Sequence, residues 1–188
     1  EILIGLVGSE MCIETAAWRA ELRDKLAEAE EGLYTLKGAG PDAPRFVITG
    51  EISSIYKKNG KVRKVHSLIL LPHLEAAETL SRRLEAIGNL HSDGRPILGL
   101  DCRDLLEITL ESCPDAVFIP AHIWTPHFSL FGAFSGFDTI GECFGDLTGH
   151  IHALETGLSS DPTMICRCSA LDGYTPVSYT HLTLPTIA

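Results

Sequence analysis

The spacing of hydrophobic positions changes period several times along the chain, and each change marks an element. Residues 14–31 (ETAAWRAELRDKLAEAEE) carry Trp18, Leu22 and Leu26 on one stripe among acidic and basic positions, which predicts an amphipathic helix. GAGPDAP at 38–44 breaks it off. Residues 45–56 (RFVITGEISSIY) are rich in β-branched and aromatic side chains and predict a strand. Asn59-Gly60 is the preferred pair for a two-residue type I′ turn, so residues 61–71 (KVRKVHSLILL) form the return strand of a hairpin. Pro72 ends that strand, and residues 73–88 predict the next helix. A loop with Ser92-Asp93-Gly94 leads to Leu98, and Asp101 is placed to cap a helix over 102–112. AVFIP at 116–120 is short and wholly apolar, the mark of a strand buried on both faces. A Gly- and Phe-rich loop, a short helix near 138–147 and a strand over 151–155 complete the series. Strands alternating with helices predict an α/β fold with much parallel pairing, uninterrupted by a repeat, a low-complexity segment or a domain linker.

Composition adds bounds to this picture. A chain of 188 residues, 45% hydrophobic and 21% charged, suits one soluble globular domain with its own core. No apolar run reaches the ~18–20 residues of a membrane span. The apolar opening, EILIGLVGSEMCI, is short and lacks the basic flank of a signal peptide. Six cysteines (Cys12, Cys102, Cys113, Cys143, Cys166, Cys168) in such a chain point to reduced thiols and a cytoplasmic location. Cys166-x-Cys168 is spaced too tightly for a zinc ribbon. The net charge of −10 is the reverse of a general DNA-binding footprint. If phosphate is handled, metal ions or further parts of the protein must supply the positive charge.

The hairpin carries the most specific chemistry. With Asn59 and Gly60 as the turn, His66 lies opposite Ser53, and Glu51 is its diagonal neighbour on the same face. Diagonal partners stand roughly 7–8 Å apart, so a carboxylate and an imidazole there can converge on one divalent cation or two adjacent ones. Glu51 also sits in an apolar stretch where an unpaired carboxylate is costly to bury. The alternative is an exposed Glu and His on a solvated hairpin. His122 follows AVFIP and Ala121, at the carboxyl end of a strand, where α/β folds build active sites; the alternative is a hydrogen-bonded core histidine. The basic run Lys57, Lys58, Lys61, Arg63 and Lys64 reads as a solvated hairpin tip more readily than as a phosphate contact. Trp124 and Phe128 suit core packing better than stacking on an exposed base.

These residues also carry a resemblance. TGEISSIYKKNGKVRKVHSLILLP, IGNLHSDGRPILGLD, IPAHIWTPHFSLFG and ALETGLSSDP resemble endonuclease Q and its bacterial relatives among the PHP phosphoesterases, over nearly all of residues 14–174. The resemblance implies a distorted seven-stranded (β/α)7 barrel, up to three divalent ions (zinc, manganese or magnesium) at its carboxyl end, and hydrolysis of phosphodiester bonds. Within it, Glu51 matches the bridging carboxylate, His66 the histidine of the following strand, and His122 the histidine closing a Pro-Ala-His motif. These three are the expected catalytic and metal-holding residues. Glu155, Ser159, Ser160 and Asp161 are expected to line the substrate groove. The family's first-strand His-x-His and closing Asp-x-His are not found; His150-Ile151-His152 lies where the family has no such pair and is set aside. His73, His91 and His127 match no ligand position, and GLVGSE is no Walker loop.

The implied activity is nicking of DNA beside deaminated bases such as uracil or hypoxanthine, with DNA as partner and a helicase region possible elsewhere in the protein. Two other readings stay open: a PHP enzyme acting on a small phosphate ester, and a non-catalytic module attached to a helicase. Residues 175–188 (TPVSYTHLTLPTIA) lack any charge and resemble a translated sequencing adapter, and LVGSEMCI resembles the same in another frame. The expected natural portion is therefore 14–174, a partial barrel, with 1–13 and 175–188 non-native and the segment inactive by itself. A natural tail of low structure is the alternative.

Overall fold

The computed structural model describes residues 22–90, 96–157 and 162–177. Within them the longest feature is the hairpin of β3 (Ile48–Lys58) and β4 (Lys61–Leu71). Asn59 and Gly60 adopt φ of 53° and 75°, the two positive values a type I′ turn needs. The register follows from that turn: Lys58 faces Lys61, Ser53 faces His66 and Glu51 faces Leu68. Because side chains alternate, Ile52, Tyr56, Val65, Ile69 and Leu71 share one face while Glu51, Ser53 and His66 share the other.

The apolar face is covered by helices. α1 (Leu74–Glu85) begins at His73, whose Nδ1 accepts the Ala76 N–H, and buries Leu74, Ala76, Ala77, Leu80, Ser81 and Leu84. α2 (Cys102–Ser112) is capped by Asp101 and buries Cys102, Leu105, Leu106 and Thr109. A short α3 (Ile140–Phe144) starts at the Thr139 cap and runs into a 3₁₀ turn over Gly145–His150. Leu80, Leu84, Leu105, Leu106 and Phe144 from these helices join Phe118, Ile123, Leu130, Phe137 and Leu154 in one core cluster.

Four strands make the main sheet in the order β5-β3-β4-β6, with β5 at Ile97–Leu98 and β6 at Val117–Pro120. Only the β3–β5 pairing is parallel; β3–β4 and β4–β6 are antiparallel. The expectation of much parallel pairing is therefore corrected for the main sheet, because the hairpin and a third strand set beside it occupy the centre. In β6, Phe118, Ile119 and Pro120 are buried while Val117 is exposed, so only the second half of the apolar run is enclosed. β7 (Ala153–Glu155) and β8 (Thr175–Val177) form a parallel pair of their own, and the described residues form no closed barrel. The β7–β8 pairing runs three residues past the boundary expected at 174. Ladder hydrogen bonds are made by backbone, so the strand pairs regardless of what its side chains resemble.

The helix expected over 14–31 departs most. Residues 22–25 are helical, but Leu26–Glu30 is a strand, β1, paired antiparallel to β2 (Leu33–Leu36). Gly32, at φ 73°, turns between them. Tyr34 then exchanges backbone hydrogen bonds of 2.8 Å with Phe46 in both directions. Its hydroxyl donates to the Pro72 carbonyl at 3.3 Å. Those long-range pairings override the helical propensity of an Ala/Glu-rich segment. Residues 14–21 lie outside the described residues. Among those described, no helix is long and apolar enough to cross a membrane.

Candidate metal centre

The site forms where the polar face of the hairpin meets the end of β6. Glu51 and His66 come from adjacent strands, two positions apart along the shared face. His66 is fixed by its backbone on both sides: its carbonyl accepts the Ala121 N–H at 2.9 Å and its N–H donates to the Phe128 carbonyl at 3.1 Å. The Phe128 ring stacks on the His66 ring with centroids 4.7 Å apart. The Ala121 bond extends the β4–β6 ladder and brings the next residue, His122, over the sheet. His122 and Phe128 both hold positive φ, 32° and 56°, conformations rare for side chains of their size. Such values persist only where surrounding contacts hold them.

The side chains converge. His66 Nδ1 lies 2.9 Å from His122 Nε2 and 3.4 Å from Glu51 Oε1. One ligand atom from each of the three lies within 4.8 Å of the others. Two ligands on a tetrahedral ion with bonds of roughly 2.0–2.1 Å stand about 3.3 Å apart, so these separations suit a single shared cation. Two imidazoles and a carboxylate form a donor set of borderline softness, usual for zinc and also taken by manganese or iron. Glu51, His66 and His122 keep 15%, 9% and 15% of their side-chain surface exposed, enough to admit an ion. This cluster can hold a metal ion.

Glu155 occupies a different position from the groove-lining one expected. It is 1% exposed, and its Oε2 accepts the His122 backbone N–H and stands 3.5 Å from His122 Nδ1. Its burial is the physical reason it presents no open surface. Ser159, Ser160 and Asp161 lie outside the described residues, as do His91 and His181. His150 and His152 are exposed and outside the cluster, and exposed His127 stacks on Phe134. Cys102, Cys113 and Cys143 are buried free thiols; Cys166 and Cys168 are exposed free thiols.

The hairpin-tip cations are mostly engaged. Lys58 pairs with Asp101 at 3.0 Å and donates to the Cys143 carbonyl. Arg63 is buried, donates to the Gly136 carbonyl and lies over the Phe137 ring. Lys64 stands over Phe128, with Nζ 5.2 Å from the ring centroid. Lys57 and Lys61 are exposed. Trp124, half-buried, packs against Phe131 and lines an open groove of about 470 Å³ with Tyr174 and Leu171. Sequence reasoning missed the roles of Phe128 and Glu155 around the two histidines. For Glu155 a signal existed, a lone carboxylate within the apolar strand ALE. For Phe128 none did, because a left-handed Phe has no sequence mark.

A mixed α/β fold with a Glu/His/His cluster at a strand end defines a candidate metal site. Comparison with known proteins sharpens this. No family model matches the chain. It is similar to the crystal structure of the lesion-specific endonuclease PfuEndoQ from Pyrococcus furiosus, with TM-score 0.68, 27% identity and coverage of 87% of this chain. It is also similar to endonuclease Q in complex with a 27-mer duplex substrate carrying an abasic lesion at the active site, with TM-score 0.68, 28% identity and 86% coverage. An uncharacterized Bacillus subtilis protein, YqxK, is 33% identical over 113 residues, 58% of this chain. The chain spans 36% of each endonuclease Q chain and 27% of YqxK.

Proposed function

We propose that this chain is the metal-holding part of a metal-dependent phosphodiester hydrolase that nicks DNA at damaged bases. The observation that carries the reading is the convergence of Glu51, His66 and His122 within 4.8 Å in a fold similar to endonuclease Q. The proposed substrates are duplexes with deaminated bases, uracil or hypoxanthine, and abasic sites, the last because the solved complex of endonuclease Q holds such a duplex. A divalent ion would neutralise phosphate oxygens and lower the pKa of a bound water. Glu51 supplies the anionic ligand, and His66 and His122 supply neutral nitrogens whose directions the backbone fixes.

The same proposal covers the wider protein: a PHP-type barrel, residues 14–174 as its native segment, up to three ions of zinc, manganese or magnesium, a cytoplasmic location and an attached helicase region. Three ligands hold one ion, so the 188-residue chain alone is proposed to bind metal without cleaving DNA. The test is nicking of uracil-, hypoxanthine- and abasic-site duplexes by the complete gene product containing this chain, with and without Mn²⁺ or Zn²⁺. Metal-dependent nicking beside the lesion supports the reading. A folded, metal-loaded protein that nicks none of them contradicts it.

One observation favours a second reading. The net charge of −10 lacks a phosphate-backbone footprint. A small phosphate ester needs none, and turnover of small esters without DNA nicking would select that substrate class.

A further inference from the structure

The residue behind His122 has a chemistry of its own. Glu155 ends β7, and its carboxylate is enclosed. Oε2 accepts the His122 backbone N–H and stands 3.5 Å from Nδ1 of the same residue. Among the described residues Oε1 has no hydrogen-bond partner; it lies against Gly157, where an added Cβ would clash with it. One oxygen therefore bonds the His122 backbone and stands beside its ring, while the other is backed by a residue with no side chain.

A neutral imidazole has two tautomers, and an acceptor beside one nitrogen selects the form protonated there. If His122 carried its proton on Nε2, the Nδ1 lone pair would face a buried carboxylate, two acceptors together in low-dielectric surroundings. With the proton on Nδ1, the lone pair of Nε2 points toward His66 and Glu51. In the metal-free chain the 2.9 Å contact then has His66 Nδ1–H donating to His122 Nε2, a proton that His66 Nδ1 gives up when both nitrogens take a cation. We propose that Glu155 is a positioning residue that holds His122 as the Nδ1–H tautomer, leaving Nε2 unprotonated and turned toward the cation site. This rests on the metal reading of the site. The same carboxylate accepts the N–H of His122, whose backbone is left-handed.

Nitrogen-15 NMR of the imidazoles in the metal-free 188-residue chain, recorded across a pH series, reads the tautomer of the neutral ring directly. His122→Ala assigns the signal. The expected pattern is a protonated Nδ1 and an unprotonated Nε2 for His122. In Glu155→Gln the pattern shifts toward a mixture, and Zn²⁺ affinity falls roughly 10–100-fold, the usual loss when a carboxylate behind a metal-binding histidine is removed. An Nε2–H tautomer in the wild type overturns the proposal, and that readout decides even if Glu155→Gln fails to fold. A folded Glu155→Gln with unchanged His122 signals and Zn²⁺ affinity overturns it too. Failure of the wild type to bind Zn²⁺ despite the expected tautomer overturns the metal reading while supporting the Glu155–His122 relation.

Discussion

His66 Nδ1 and His122 Nε2 stand 2.9 Å apart across 56 positions of sequence. The sheet makes this meeting: the Ala121 N–H bonds to the His66 carbonyl, so the residue after Ala121 is delivered beside the histidine of β4. Glu51 reaches the same point from β3 because the Asn59-Gly60 turn sets its register. The central claim, that these three hold a cation, therefore depends on backbone geometry that can be tested piece by piece.

Removing a ligand should cost binding outright. His66→Ala and Glu51→Gln are each expected to lower Zn²⁺ affinity by more than about 100-fold, beyond the loss seen for changes behind the ligands. Isothermal titration calorimetry reads this. In the wild type, free Zn²⁺ at 100 times its Kd should add about 2.7 kcal/mol of stability, reversed by a chelator and absent in His66→Ala.

Gly157→Ala tests the support behind His122. Its Cβ would fall 2.1 Å from Glu155 Oε1 and 2.9 Å from Cδ, so the carboxylate must move. Circular dichroism should show an intact fold while Zn²⁺ affinity drops by about 10-fold or more. Unchanged affinity would mean the carboxylate's position does not matter to the site.

Gly60→Ala places an L side chain at φ 75° and is expected to cost about 1–2 kcal/mol in urea unfolding. Metal affinity should stay near wild type, since Asn59 and the long ladder still fix the register.

Leu105, on α2, is fully buried in the core cluster, so Leu105→Ala is expected to cost about 2–5 kcal/mol. A smaller loss in chemical denaturation would argue against the helix-covered core.

Thiol accessibility separates the five described cysteines. Cys166 and Cys168 are exposed and should react at once with a thiol reagent; Cys102, Cys113 and Cys143 should react only on unfolding. Burial also pushes the Cys143 thiol well above its ordinary pKa, which keeps it protonated and slow.

The sequence made local features legible and long-range ones less so. Asn59-Gly60 determined a turn type, the turn determined a register, and the register put Glu51 and His66 on one face. Asp101 and Pro72 marked element ends for reasons internal to their own segments. The strand at Leu26–Glu30 was hidden, because its Ala and Glu residues favour helix and only pairing with β2 makes it a strand. Strand direction was hidden for the same reason: AVFIP reads as buried, but its antiparallel neighbour β4 is known only once the chain has folded. Glu155 was expected in a groove; its place in the apolar strand ALE was a sign of burial, but its partner lies 33 positions away.

The most direct measurement is a crystal of the chain soaked in Zn²⁺ or Mn²⁺, with the ion located by anomalous scattering. The account predicts a peak roughly 2.0–2.2 Å from a Glu51 carboxylate oxygen, His66 Nδ1 and His122 Nε2. A saturating soak that leaves those three atoms without an ion, or seats it on other residues, would contradict it.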